Sequence, residues 1–207
     1  IAQQADVIVC AMGETADMSG ECATRTSLEM PDAQHALLEE LVKLGKPVVL
    51  LNFAGRPTVL SWETKHVPAI MNVWFGGSEA ADAICDVLFG DKVPVGRLTM
   101  SMPNTTGQAP LYYNHLNTGR PVADNASFAK FASNALDVSN GALYPFGYGL
   151  SYTTFSYSDV TLSANEMAKN GSVTATVTVT NTGKRDADEV VQLYVHDLVA
   201  SIARPVK

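Results

Sequence analysis

Apolar and polar positions follow two different rhythms along this chain. Residues 6–12, DVIVCAM, are almost continuously apolar and rich in β-branched side chains. That suits a strand buried on both faces. Residues 47–53, PVVLLNF, and 69–75, AIMNVWF, read the same way. Between the first two, Ala33, Leu37, Leu41 and Leu44 recur at helical spacing. Pro31 suits the first helical position and Asp32 the first turn, while Gly45 and Pro47 are stop signals. After the third run, Gly76 and Gly77 make a turn, and Ser78 is a good N-cap. Ala80, Ile84, Val87 and Leu88 then form one helical face that ends at Gly90. This alternation predicts a mostly parallel sheet with helical crossovers, an α/β fold.

Residues 103–145 carry no such period and are punctuated by Pro, Gly, Asn and Tyr. Loops this long are uncommon inside a compact domain and are often functional or wrapped over a surface. Beyond them the rhythm changes. Ser172–Thr180, SVTATVTVT, places Val173, Ala175, Val177 and Val179 on one face and Ser and Thr on the other. That predicts a half-buried antiparallel strand, with a turn at 181–183 and a further strand at Val190–Val195. The chain from about Phe155 therefore reads as an incomplete β-sandwich, since a whole one needs about 100 residues and about seven strands.

Composition narrows the class. The 207 residues are 46% hydrophobic and 17% charged, ordinary for a globular protein. No apolar run approaches the ~20 residues of a membrane span, so no membrane partner is expected. A net charge of −7 argues against a nucleic-acid partner. Cys10, Cys22 and Cys85 form neither a disulfide framework nor a zinc pattern. Cys10 and Cys85 sit in apolar periodic segments and read as buried small hydrophobes. Cys22 would need a base to act as a nucleophile, and no His is near it in sequence. The chain starts at Ile1 without Met and shows no leader pattern, so it reads as a piece excised or processed from a longer protein.

The polar segment 13–31, GETADMSGECATRTSLEMP, leaves the first strand and ends where a helix begins. In open parallel sheets, ligands bind beyond the carboxyl ends of the strands. Two carboxylates, Glu14 and Glu21, are therefore placed where such folds do chemistry. The glycine pair 76–77 lacks the spacing of a phosphate loop, and a turn is the simpler reading.

Several long motifs now carry a resemblance. GECATRTSLEMPDAQ, GKPVVLLNFAGRP, WFGGSEAADAICDVLFGDKVPVGRLTMSMP, PLYYNHLNTGRP and GALYPFGYGLSYTTF occur in this order. They resemble glycoside hydrolase family 3, of the periplasmic β-glucosidase type. The tail DVTLSANEM…VTVTNTGKRDADEVVQLYV resembles the fibronectin-III-like domain that follows in those enzymes. The resemblance implies a three-layer α/β sandwich domain over 1–154, truncated at its N-terminus. It also implies a C-terminally truncated fibronectin-III-like domain over 155–207. In that family an N-terminal barrel supplies an Asp nucleophile, and this domain supplies the acid/base across the interface. The pattern of Glu, Arg four residues later and an L-x-P-like stretch falls on Glu21, Arg25, Leu28 and Pro31. Glu21 is thereby the expected acid/base, with Arg25 and Glu14 supporting the site or binding substrate.

An acid working near neutral pH must keep its proton, and a bonded guanidinium would favour the ionised form. Arg25 is therefore expected to pair with another carboxylate or a sugar hydroxyl rather than with Glu21. Glu14 is a second candidate acid, with loop support the simpler role. Trp74, Tyr112 and Tyr113 could stack on sugars, although packing suits Trp74 better. His115 lacks a partner pattern, and His35, His66 and His196 read as surface or helix-flank residues. Asn104, Asn125 and Asn170 match the glycosylation pattern, which has no meaning in a bacterial source.

The resemblance implies a retaining exo-acting β-glucosidase, periplasmic or secreted, with β-glucosides or oligosaccharides as substrates and no cofactor. A β-xylosidase, or a non-catalytic carbohydrate-binding or structural module, is the alternative. Alone, the chain is expected to be inactive as a hydrolase and to self-associate through unpaired sheet edges.

Overall fold

The computed structural model describes residues 1–116, 119–123, 129–202 and 204. Asn125 lies outside these residues. Three strands, β1 (Ile8–Gly13), β2 (Val48–Phe53) and β3 (Ala69–Asn72), form a parallel sheet in the order β1-β2-β3. The register pairs Ile8 with Val48 and Gly13 with Phe53, so β1 and β2 end at the same level. Helix α1 (Asp32–Val42) joins β1 to β2, and a short helix α2 (Glu63–His66) precedes β3. Helix α3 (Ala80–Phe89) follows β3.

The apolar run of each strand explains this order. Val48, Leu50 and Leu51 of the central strand are buried, as are Ile8 and Cys10 of β1. Met30, Leu38 and Val67 close over this core, with Leu41 and Val42 packed against it. Leu38 and Leu50 are fully shielded, and each such side chain contributes about 1.5–3 kcal/mol of transfer free energy. Burial also pushes the Cys10 thiol up from its ordinary pKa, which keeps it protonated and inert.

Two boundaries differ by local geometry. Pro31 is the N-cap of α1 rather than its first helical residue, with φ −53° and ψ 130°. Strand β3 stops at Asn72 instead of Phe75, because Trp74 turns the chain away with φ +53°. A partly buried aromatic in this region is sterically costly, so the surrounding structure must hold it there.

The chain divides into two compact units. The first holds Ile1–Ile84, Leu98–Tyr148 and Leu193–Lys207 and contains the parallel sheet. Within it, the described residues of 103–145 are irregular apart from a single helical turn, Thr106–Gln108, and isolated bridges at Pro121–Ser133 and Met102–Tyr144. Side chains do the work of secondary structure there. Asn104 donates to the Gly141 carbonyl at 2.8 Å, and Gln108 to the Ser139 carbonyl at 2.7 Å. The Asn104 amide is thus engaged inside the protein.

The second unit holds Cys85–Arg97 and Gly149–Gln192. Its strands are β4 (Phe155–Tyr157), β5 (Thr161–Leu162), β6 (Ala175–Thr176) and β7 (Val179–Asn181), pairing antiparallel as β4–β7 and β5–β6. The single strand expected over 172–180 is thus two short ones. The register gives the reason. Tyr157 faces Val179 and Thr161 faces Thr176, so four steps on one side match three on the other. The extra residue makes a bulge, where Ser158 Oγ accepts the Thr178 amide at 2.9 Å. Val173, Val177 and Val179 still lie on the less exposed face.

Two expectations fail. Val190–Val195 forms no strand among the described residues, and Leu193 is 75% exposed. Alternation favours a strand only where a ladder forms alongside, and none runs along this segment among the described residues. Cys85 is exposed rather than buried. Helix α3 is amphipathic, but no residue of it is fully covered among the described residues, and Cys85 lies beside the half-buried face of Ile84, Val87 and Leu88.

Candidate functional site

The chemistry gathers where β1 and β2 end together. Gly13 is in van der Waals range of the neighbouring strand end, and any Cβ on it would lie 1.8 Å from the Phe53 carbonyl oxygen. Its φ of +131° is also open only to glycine. Gln34 of α1 brackets this residue, accepting the Gly13 amide at 2.7 Å and donating to its carbonyl at 3.0 Å. Glu14 follows, its amide bonded to the Phe53 carbonyl at 2.8 Å.

The Glu14 side chain turns inward and is only 1% exposed. A carboxylate so deeply buried must be paired and hydrogen-bonded to persist. Arg25 Nη1 donates to its Oε1 at 3.2 Å. Arg56 Nε lies 3.0 Å from Oε1 and 3.1 Å from Oε2. The Gly55 amide donates to Oε2 at 3.2 Å. Each guanidinium then uses a second donor on the backbone of segment 13–31. Arg56 Nη2 donates to the Met18 carbonyl at 2.6 Å, and Arg25 Nη2 to the Glu29 carbonyl at 3.2 Å. Gly55 lets the segments close up, since a Cβ there would meet Ser19 Oγ at 2.0 Å and the Phe75 ring at 3.1 Å.

Glu21 is held differently. It is exposed and occupies the turn Gly20–Ala23, closed by the Ala23 amide on the Gly20 carbonyl at 3.2 Å. Its neighbour Cys22 sits at φ +62°, the third position of that turn, where a left-handed residue is required. The Glu21 carboxylate makes no ion pair or hydrogen bond with the described residues. The structure therefore joins Glu14 to Arg25 and leaves Glu21 outside that cluster. Arg25 thus pairs with Glu14 rather than with Glu21.

The tether continues downstream. The Leu28 amide donates to Thr106 Oγ1 at 3.0 Å, and the Leu28 carbonyl accepts the Val59 amide at 2.9 Å. A second buried carboxylate, Glu63, lies 3.0 Å from His35 Nδ1, and Trp62 meets the His35 ring edge-on at 4.9 Å. His35 and the exposed, helix-terminal His66 frame Trp62, which stacks on His66 at 4.3 Å. Burial, together with the Glu63 charge, pushes the Glu29 carboxyl up against a smaller opposing pull from His35. Tyr113 stacks on Phe146 at 4.4 Å, so packing occupies one of its faces.

Arg56 and Gly55 escaped the sequence reading. The signal was present in GRP, directly behind the apolar run of β2. In a parallel sheet, loops leaving the ends of adjacent strands converge. Pairing the polar residues after β2 with those after β1 would have found them.

Residues 1–152 match the family model described as the glycosyl hydrolase family 3 C-terminal domain. The chain belongs to glycoside hydrolase family 3. Its parallel three-stranded sheet with small antiparallel sheets fits such a C-terminal domain. Over 206 residues it is 50% identical to a periplasmic beta-glucosidase of Salmonella typhimurium, covering 100% of this chain and 27% of that protein. It is 39% identical over 206 residues to a beta-xylosidase of Formosa agariphila, again covering 100% of this chain and 27% of the relative. Among solved structures, a beta-glucosidase from Listeria innocua in complex with glucose superposes with a TM-score of 0.92 at 40% identity, over 99% of this chain and 28% of that one. This family 3 chain therefore spans little more than a quarter of the length of its relatives.

Proposed function

We propose that the chain works as the C-terminal part of a retaining, exo-acting β-glucosidase that removes terminal non-reducing β-D-glucosyl residues, with Glu21 as acid/base. One observation carries the reading: a free carboxylate stands at the tip of a turn whose flanks are tied down by buried ion pairs. Retaining hydrolysis needs two carboxyl groups about 5–5.5 Å apart, one nucleophilic and one protonating the leaving oxygen. Glu21 would donate that proton and then activate water against the glycosyl-enzyme. Arg25 is committed to Glu14 and is not bonded to Glu21.

The nucleophile, an Asp, would come from an N-terminal barrel in the full-length protein, consistent with the short share of each relative that the chain covers. On this reading 1–154 is a three-layer α/β sandwich domain, 155–207 begins a fibronectin-III-like domain, and the enzyme works in the periplasm or outside the cell. The β-glucosidase names among the relatives favour glucosides, while the beta-xylosidase relative makes xylosides the second substrate class.

The test is Glu21→Ala in the full-length protein. Hydrolysis of an unactivated glucoside should fall by about 10²–10⁴, the usual worth of a general acid. With dinitrophenyl β-glucoside, which needs little protonation, glycosyl-enzyme should accumulate and azide should restore turnover as β-glucosyl azide. Wild-type-like hydrolysis of unactivated glucosides would remove Glu21 from the chemistry, make Glu14 the next candidate and favour a non-catalytic module.

A further inference from the structure

We infer that Arg56 is a positioning residue for the proton donor: it fixes the upstream flank of the Glu21 turn by gripping Glu14 and the Met18 carbonyl at once. This rests on the assignment of Glu21 as acid/base. The segment from Glu14 to Pro31 has few external anchors. On the downstream side Leu28 bonds to Thr106 and Val59, while Arg25, itself part of the segment, ties the Glu29 carbonyl to Glu14. On the upstream side, after Glu14 itself, the polar anchor from outside the segment among the described residues is Arg56 Nη2 on the Met18 carbonyl at 2.6 Å. Met18 stands three residues before Glu21 and ends the single helical turn Ala16–Met18. Between that carbonyl and Arg25, the segment's hydrogen bonds among the described residues are local ones, including the one that closes the Gly20–Ala23 turn.

The guanidinium suits this task for a physical reason. It is 20% exposed, with Nε shared between both oxygens of a carboxylate that is 1% exposed. A planar fork can satisfy the carboxylate and the carbonyl together, with its angles set in advance. A lysine could keep the charge beside Glu14 but cannot hold both partners in that geometry. The two arginines therefore act as a pair of clamps on one buried carboxylate, each reaching to a different flank of the catalytic turn. Losing the upstream clamp lets the turn drift, and misplacing a catalytic group by about 1 Å can cost about 100-fold.

Leaving-group dependence separates positioning from mere structural support. A misplaced acid harms substrates that need protonation and spares those that do not. A lower folded fraction harms all substrates by one factor. Arg56→Ala and Arg56→Lys would be made in the full-length protein, with Glu21→Ala as reference. The readout is kcat/KM, which reports formation of the glycosyl-enzyme, for cellobiose and for dinitrophenyl β-glucoside. For Arg56→Ala the expected loss is about 10–100-fold on cellobiose and under about threefold on the activated glycoside. Arg56→Lys should fall between wild type and Arg56→Ala on cellobiose alone. An equal loss on both substrates, or no loss on either, overturns the inference. If circular dichroism shows Arg56→Ala unfolded, Arg56→Lys decides by the same comparison. Should Glu21→Ala itself lose activity equally on both substrates, the acid/base reading fails and this inference with it. If Glu21→Ala discriminates and both Arg56 variants do not, the inference alone fails.

Discussion

Glu29 shows how a single side chain couples this segment to pH. Its carboxyl is held up mainly by burial and then by the negative charge of Glu63, with His35 pulling the other way. A carboxyl raised in the folded state binds its proton more tightly there than in the unfolded chain. Its favourable contribution is therefore complete below the ordinary value of 4.5 and is lost as pH rises through the folded value. Glu29→Gln removes the charge and keeps the shape. Melting curves should show a gain of a few tenths of a kcal/mol near neutral pH, small because the site is largely solvated, and none at about pH 4. An equal gain at both pH values, or a loss at neutral pH, would remove Glu63 and burial as the cause. Glu14 is the contrasting case, a buried carboxylate met by two guanidinium groups and a backbone amide. Its burial is met by donors on both oxygens, as a buried polar group requires.

At the scale of elements, the shared end of β1 and β2 decides where polar groups meet. That level depends on Gly13, whose backbone approaches the Phe53 carbonyl too closely for any side chain. Gly13→Ala should force the strand ends apart and cost about 3 kcal/mol or more, read as a lower urea midpoint. A wild-type midpoint would mean that the strands do not need this approach. The hairpin β4–β7 with β5–β6 makes the opposite use of register. There one extra residue is absorbed as a bulge, and Ser158 supplies with its hydroxyl the acceptor that the ladder lost. Periodicity locates such strands but not their interruptions, because a bulge leaves the alternation of Val173, Val177 and Val179 almost intact.

At the scale of the whole molecule, β1 lies at the edge of its sheet and leaves Val9 at 46% exposure, with Val7 beside it at 50%. An edge with free backbone groups and apolar neighbours is a template for association. The isolated chain should therefore gain mass with concentration in light scattering. A monomer at all concentrations with a cooperative melt would overturn that expectation. By itself the sequence determined the three parallel strands, the two main helices that follow β1 and β3, the irregular stretch after residue 103 and the polar segment carrying Glu14 and Glu21. These follow from local period and from glycine and proline, which act within a few residues. Long ordered motifs also carried the family. Only the tertiary structure decided that Glu14 is a buried hub rather than a second free acid, that Arg25 serves it, and that Arg56, forty-two residues away in sequence, completes it. It alone also bared Cys85 and withheld a strand from Val190–Val195. Burial and ladder pairing depend on which distant segments arrive alongside, and no local pattern encodes that arrival.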